Sequence, residues 1–332
     1  MSAGAYEEAV ERFDCFGSSC AAYVIGDGQA GSPSEAAALV RGELGDWHER
    51  FSRFSLVSEL SRLNSDPHER VSVSPLMARL AQAVRDGGSL TGGLVDATLI
   101  EEIERAGYKR DLGPPLPLAE ALALAPSRTP VTASRTPGWE LLEVDLTNAI
   151  VTRPPGVKLD SGGLAKGLFA DVLGERLADH PSFAIDCAGD LAIGGTARMT
   201  RAIVVESPFD ACPLHTFHLS RTGVATSGIG RRSWLDGEGS PAHHLLDPGT
   251  GRPAFTGIVQ VTALAPSALL AEIHAKAAIL SGPRAARRWL AHGGVIVFDD
   301  GSHEVISPPP TISLSELSGY AHPARTGALQ DA

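Results

Sequence analysis

With 332 residues, 43 % of them hydrophobic and 20 % charged, the chain can form one large domain or two smaller ones, each with a sizeable core. Its formal net charge of −11 argues against nucleic acid or an anionic membrane as partners, but leaves room for a phosphate-bearing small molecule in a locally positive pocket. The first residues, MSAGAYEEAVERFDCFG, carry neither a basic nor an apolar leader segment, and no apolar run approaches the roughly 18 residues of a membrane-spanning helix, so a cytoplasmic protein is expected.

In chain order, RFDCFGSSCAAYVIGDG reads as one strand closed by a turn at Gly26 to Gly28. Apolar residues at helical spacing predict a long helix over 34–51, a second opening at Ser74-Pro75 and a third over 97–106. Residues 112–137, rich in Pro and Ala, predict an excursion with a short helix, and WELLEVDLTNAIVTR predicts a hairpin around Thr147-Asn148. Strands follow at FAIDCAGDLAIGG, RAIVVESP, TFHLSRTGVAT, HHLLDP and GIVQVTALA, then helices over 267–280 and 285–291 and a hairpin turning at Asp300-Gly301. This mixture, without regular β-α-β alternation, predicts an α+β fold of mixed β-sheets with packed helices. Cys15, Cys20, Cys187 and Cys212 lack metal-site spacing and read as buried or free thiols. The tail from Pro308 is expected to be loosely ordered.

Three stretches could carry chemistry. In VKLDSGGLAKGLFADVL, residues 157–173, a strand-like lead ends in Asp160, Gly162 and Gly163 and runs into a helix bearing Lys166. Glycines there admit a ligand close to the backbone, and the N–H groups of a first helical turn favour an anion. The same residues would equally make a plain strand-to-helix turn with a capping Asp and an exposed Lys. Lysine is scarce, with only Lys109, Lys158, Lys166 and Lys276 in the chain, so a lysine inside a motif stands out. The second stretch, SPAHHLLDPGTGRPA, pairs His243 and His244 with a tight turn at Asp247 to Gly251; on a strand the two imidazoles face opposite sides. The third, VATSGIGRRSW, places Thr226 and Ser227 before two glycines and two arginines, which also suits a turn with surface arginines.

Together these stretches resemble the ApbE-type FAD:protein FMN transferase family. DSGGLAKG is similar to its Asp-x-Gly-Gly-Ile-Ala-Lys-Gly motif, AIDCAGDLAIGG to its Asn-Ala-Gly-Gly-Asp segment, and HHLLDPGTGRPA to its His-His-Ile-x-Asp-Pro-x-Thr-Gly-x-Pro element; FGSS, FSRFSLVSELSRLN, GGLVDATLIEEIERAGY and VATSGIGRRSW match further elements in order, from about Phe13 to Gly282. The resemblance implies one flavin transferase domain over 1–307, followed by the tail 308–332. It also implies transfer of the FMN half of FAD to a Ser or Thr of a separate acceptor protein with release of AMP, usually with Mg²⁺ at the pyrophosphate. The acceptor motif would read Asp-x-x-Ser/Thr-Gly-Ala/Ser-Ser/Thr. By the same resemblance Phe16, Phe54, Leu94, Val95, Asp96, Asp160, Gly162, Lys166, Ser227 and Leu246 bind the cofactor, His244 is catalytic, and Gly163 and Glu272 belong to the metal site.

The departures concern the metal. The family's Ala-Asp-Ala-x-Ser/Asp-Thr helix is AEIHAKAAILSG here, with Glu272, Ala275 and Lys276 at the ligand positions, and an ammonium cannot coordinate Mg²⁺. Ile229 replaces the acid of the family's Thr-Ser-Gly-Asp, and Ala188 the middle Gly of Ala-Gly-Gly-Asp. Three functions stay open at this point: a flavin transferase in which Lys276 supplies part of the metal's charge, a pyrophosphatase splitting FAD to FMN and AMP, and a non-catalytic FAD-binding or carrier protein. The bland reading of Glu272 and Lys276 is an exposed i,i+4 ion pair. The two lie, however, beside the face of Leu270, Ile273, Ala277 and Leu280, where the resemblance implies that the family turns its metal ligands toward the pyrophosphate. Lys276 is therefore expected to project into the former metal site, neutralised partly by Glu272 and partly by phosphate.

Overall fold

The computed structural model describes residues 7–110 and 112–308, and the expected tail lies beyond them. Eight strands form one antiparallel sheet whose spatial order follows the chain: β1 (Glu8–Cys15), β2 (Ser18–Ile25), β3 (Ser182–Cys187), β4 (Asp190–Gly194), β5 (Thr222–Gly228), β6 (Ile258–Ala265), β7 (Gly294–Phe298) and β8 (His303–Ile306). The helices are α1 (Pro33–Phe51), α2 (Glu59–Ser65), α3 (Pro75–Thr91), α4 (Ile100–Arg105), α5 (Leu118–Ala123), α6 (Ser161–Arg176) and α7 (Ala268–Ser281). The α+β class read from the sequence is the one found.

α1 and α6 cover one half of the sheet, burying Leu44, Trp47, Phe51, Phe169 and Leu173 against Val24 and Ile185. The other half packs Val261, Val295 and Ile296 against Ala275 and Ile279 of α7. Where α6 meets α7, a Cβ on Gly167 would come 2.7 Å from the Ala268 carbonyl oxygen, so only glycine permits the approach. Asp171 of α6 accepts the N–H groups of Ala268 at 2.7 Å and Leu269 at 2.9 Å. These contacts cap α7 from its neighbour and fix Lys166 of α6 near Glu272 and Lys276 of α7.

The structure differs from the sequence reading at identifiable places. The single strand expected near the start is the β1–β2 hairpin, reversing at Phe16 (φ 55°) and Gly17 (φ 66°). Two left-handed residues make the turn twist that matches paired strands, but a bulky Phe at its first position hides the signal. TFHLSRTGVAT divides into Pro213–Leu219, paired with Arg201–Glu206, and β5. HHLLDP divides into Pro241–His243 and Leu246–Asp247 with a bend between them. α4 starts at Ile100, because the Asp96 side chain draws the Thr98 N–H (2.9 Å) into a turn ahead of it. Residues 286–289 form a 3₁₀ turn rather than an α-helix, and α2 was not anticipated. All four cysteines are free, three of them buried.

Candidate active site

The segment entering α6 is clamped from three sides. Asn64 of α2 pairs with the backbone of Leu159, donating at 2.9 Å and accepting at 2.8 Å; the Asp160 N–H bonds the Ala97 carbonyl at 2.8 Å; and Ser161 Oγ donates to the Phe51 carbonyl at 2.7 Å. Asp160 is thereby fixed as the N-cap of α6, with Oδ1 accepting the Gly162 N–H at 3.0 Å. Its carbonyl takes the Gly163 N–H at 3.3 Å. The Gly162 and Gly163 amides are therefore occupied, a correction to the expectation that they stand open for an anion.

Beside this helix start lies a cavity of about 570 Å³, a volume suited to a small-molecule ligand. Asp160, Gly162, Gly163 and Lys166 line it from α6 and its cap, and Leu94, Val95 and Asp96 from the loop after α3. Phe16, Phe54, His244, Leu246 and Lys276 complete the expected set on its wall. Two expected residues do not reach the wall: Ser227, buried within β5, and Glu272, fully buried behind the lysines.

Lys166 and Lys276 converge on Glu272, whose Oε1 accepts from Lys276 Nζ at 2.8 Å and lies 3.7 Å from Lys166 Nζ. Glu272 Oε2 accepts the Gly167 N–H at 2.9 Å. Lys166 also pairs with Asp190, a fully buried residue carried in by the β3–β4 turn. Burial raises the Asp190 carboxyl above the usual range, and the Glu272 charge adds to the rise, while Lys276 and Lys166 hold Glu272 low against its own burial. The bland alternative of an exposed ion pair is set aside: side-chain exposures are 8 % for Lys276 and 0 % for Glu272, and Lys276 reaches the cavity wall, the direction expected of it from the sequence.

His244 sits in the bend after Pro241–His243 and faces the cavity, its Nδ1 buried without a partner. Burial of the ring, then the Arg232 charge, then His243 and the two lysines hold it well below an ordinary histidine, favouring the neutral form. His243 turns away, packing on Phe255 at 4.8 Å with Nδ1 accepting the Leu245 N–H at 3.3 Å. One imidazole faces the pocket, as expected, but a strand end and a bend divide the two rather than alternation along one strand. Asp247 is structural: it accepts from Thr132 N (2.9 Å), Gly249 N (3.1 Å) and Thr250 Oγ1 (2.9 Å).

Several wall residues escaped the sequence reading. Trp234 stacks on Tyr108 at 5.2 Å, Tyr108 and Phe54 meet edge-on at 5.5 Å, and the Arg53 guanidinium lies over both of those rings (4.5 Å from Tyr108, 4.4 Å from Phe54) with its Nε 3.9 Å from Asp160 Oδ1. Arg231 and Arg232, read as surface arginines of a turn, both line the cavity; Arg232 donates to the Phe16 carbonyl at 2.8 Å.

The donor set does not fit Mg²⁺. Among the described residues no three His, Cys, Asp or Glu side chains converge. Both Glu272 oxygens are engaged by ammonium or N–H groups, and Asp190 keeps one oxygen, Oδ1, without a partner. A hard dication needing about six oxygen ligands would meet two ammonium groups instead.

A family model described as the ApbE family matches residues 16–298. The chain belongs to the ApbE family. Among curated relatives, a protein named FAD:protein FMN transferase from Rhodobacter capsulatus is 28 % identical, over 77 % of this chain and 48 % of the relative. Another of that name from Salmonella typhimurium is 25 % identical, over 68 % of this chain and 65 % of the relative. The chain thus spans about half the length of the first and just under two thirds of the second. The ApbE protein of Thermotoga maritima superposes with a TM-score of 0.73 at 25 % identity, covering 90 % of this chain and 97 % of that one. The Pseudomonas stutzeri flavinyl transferase ApbE gives 0.71 at 20 % identity, covering 92 % and 96 %, a likeness of fold. The ApbE frame accounts for the order of the motifs along the chain: they come from distant elements and close around one cavity.

Proposed function

We propose that the protein is a flavin transferase that takes FAD as donor and attaches FMN through a phosphoester to a Ser or Thr hydroxyl of a separate acceptor protein, releasing AMP. The observation that carries this reading is His244, its Nδ1 without a partner, on the same cavity wall as the Lys166–Lys276 pair. A neutral imidazole can take the acceptor hydroxyl's proton while the oxygen attacks the FMN-side phosphorus; the bond to the bridging oxygen breaks, and AMP leaves as its phosphate. Burial first and the neighbouring cations second lower the basicity of His244; a bound diphosphate would face those cations and offset their share. The aromatic and arginine ladder of Trp234, Tyr108, Arg53 and Phe54 offers flat faces for a ring system. Asp96 Oδ2, buried without a partner on the wall, offers an acceptor for a ring N–H.

A second reading, FAD cleavage with water as acceptor, has the same base and leaving group. Incubation with FAD, with and without acceptor protein, followed by nucleotide chromatography, separates the two. AMP formation that depends on acceptor supports transfer; equal AMP and FMN without acceptor means a pyrophosphatase; no AMP under either condition leaves a binding protein.

A further inference from the structure

We infer that Lys166 and Lys276 form a built-in cation site that holds a diphosphate group without a divalent metal. The inference deepens the transferase reading and rests on it for the identity of the ligand, but not for the ligand's chemistry. The two lysines come from different helices and meet at one carboxylate oxygen on the cavity side. A lone buried ammonium would be costly, and Glu272 stabilises the pair in the empty protein. Its second oxygen is tied to the α6 backbone at Gly167, so the carboxylate cannot swing out to collect a metal.

Charge and place agree. Lys166, Lys276 and Arg232 face Asp190 and Glu272, three cations against two carboxylates, in a protein that is acidic elsewhere. Of the charged residues on the cavity wall five are cationic, Arg53, Lys166, Arg231, Arg232 and Lys276, and two are acidic, Asp96 and Asp160, so an anion is favoured there. Because Asp160 and its carbonyl already take the Gly162 and Gly163 amides, a diphosphate finds its donors one turn further on, at the lysines. Ammonium groups serve phosphate as point charges with three rotatable donors. The arriving dication meets repulsion at the same place.

The test is calorimetry on the whole protein with FAD, ADP, AMP and inorganic pyrophosphate, each in EDTA and in excess Mg²⁺. FAD and ADP affinities unchanged by chelation, with AMP much weaker than ADP, are the expected result. Lys276→Ala should weaken FAD and ADP by about ten- to hundredfold, the weight of one charge-assisted hydrogen bond. The double variant Glu272→Gln with Lys276→Met leaves no buried charge unpaired, keeps the fold, and should show the same loss. FAD that binds only with Mg²⁺, or either variant binding as tightly as wild type, overturns the inference while the transferase reading stands. ADP or pyrophosphate bound without metal, with no affinity for FAD, supports the cation site and sinks the flavin reading instead.

Discussion

Lys276 donates to Glu272 at 2.8 Å one helical turn away, and neither side chain is more than 8 % exposed. An i,i+4 pair of this kind on a helix surface contributes a few tenths of a kcal/mol; buried, it becomes a unit that is stable only when both members are present. Glu272→Ala should therefore destabilise the protein by about 3–5 kcal/mol, because two ammonium groups lose their shared carboxylate. Denaturant unfolding measures this. A loss under about 1 kcal/mol, the range of an exposed pair, would show that the lysines find solvent instead.

Asp160 has two roles that different variants separate. Asp160→Asn keeps a side-chain oxygen for the Gly162 N–H but gives up the charge near Arg53, whereas Asp160→Ala gives up both. Stability should fall by about 1 kcal/mol in the Ala variant and much less in the Asn variant, as for other N-caps. Flavin affinity should weaken in both if the carboxylate orders Arg53 over Phe54 and Tyr108. Affinity lost only in the Ala variant would assign Asp160 to the helix start alone.

Much of the fold was legible because its signals are local. Ser74-Pro75 opens α3, Thr147-Asn148 turns a hairpin, and Pro33 and Ser32 start α1 with a capping box. The β1–β2 turn was not, since Phe16 occupies a left-handed position that sequence patterns reserve for Asn or Gly. The direction of the Glu272–Lys276 pair was legible from its place beside the Leu270, Ile273, Ala277 and Leu280 face together with the resemblance, but its depth was not: α7 is apolar nearly all round, and the close approach to α6 at Gly167 is what leaves Glu272 fully buried. The Lys166–Asp190 pair and the Trp234–Tyr108–Arg53–Phe54 ladder join residues far apart in the chain, and no local pattern announces them.

His243 makes stability depend on pH in a stated direction. Burial holds its pKa down to about 3, against an ordinary value of 6.5. The folded protein therefore binds fewer protons than the unfolded chain between those values, and stability is full above pH 6.5 and falls as pH drops below it. At pH 5 the loss from this residue is about 2 kcal/mol. Between pH 7 and pH 5 the stability difference between wild type and His243→Phe should therefore shift by about 2 kcal/mol in favour of the Phe variant; a difference that stays constant with pH would contradict a neutral, buried His243.

Ala188 holds φ 58° in the β3–β4 turn, beside Gly189 at 96°. A left-handed L-residue costs about 1–2 kcal/mol, and glycine's extra unfolded-state freedom offsets about 0.5–1 of that. Ala188→Gly should thus raise stability by about 0.5–1 kcal/mol without moving Asp190. A thermal scan showing a lower midpoint would mean that the Ala188 methyl packs more usefully than its backbone is strained.

FMN transfer with His244 as base is measured directly by the intact mass of an acceptor peptide carrying the Asp-x-x-Ser/Thr-Gly-Ala/Ser-Ser/Thr motif, incubated with FAD and either wild type or His244→Ala. The wild-type protein should add one FMN to the hydroxyl residue with an equal amount of AMP released. In His244→Ala the rate should be about 10²–10⁴ lower, with FAD still bound. An unmodified peptide in the presence of tightly bound FAD, or full transfer by His244→Ala, would contradict this chemistry.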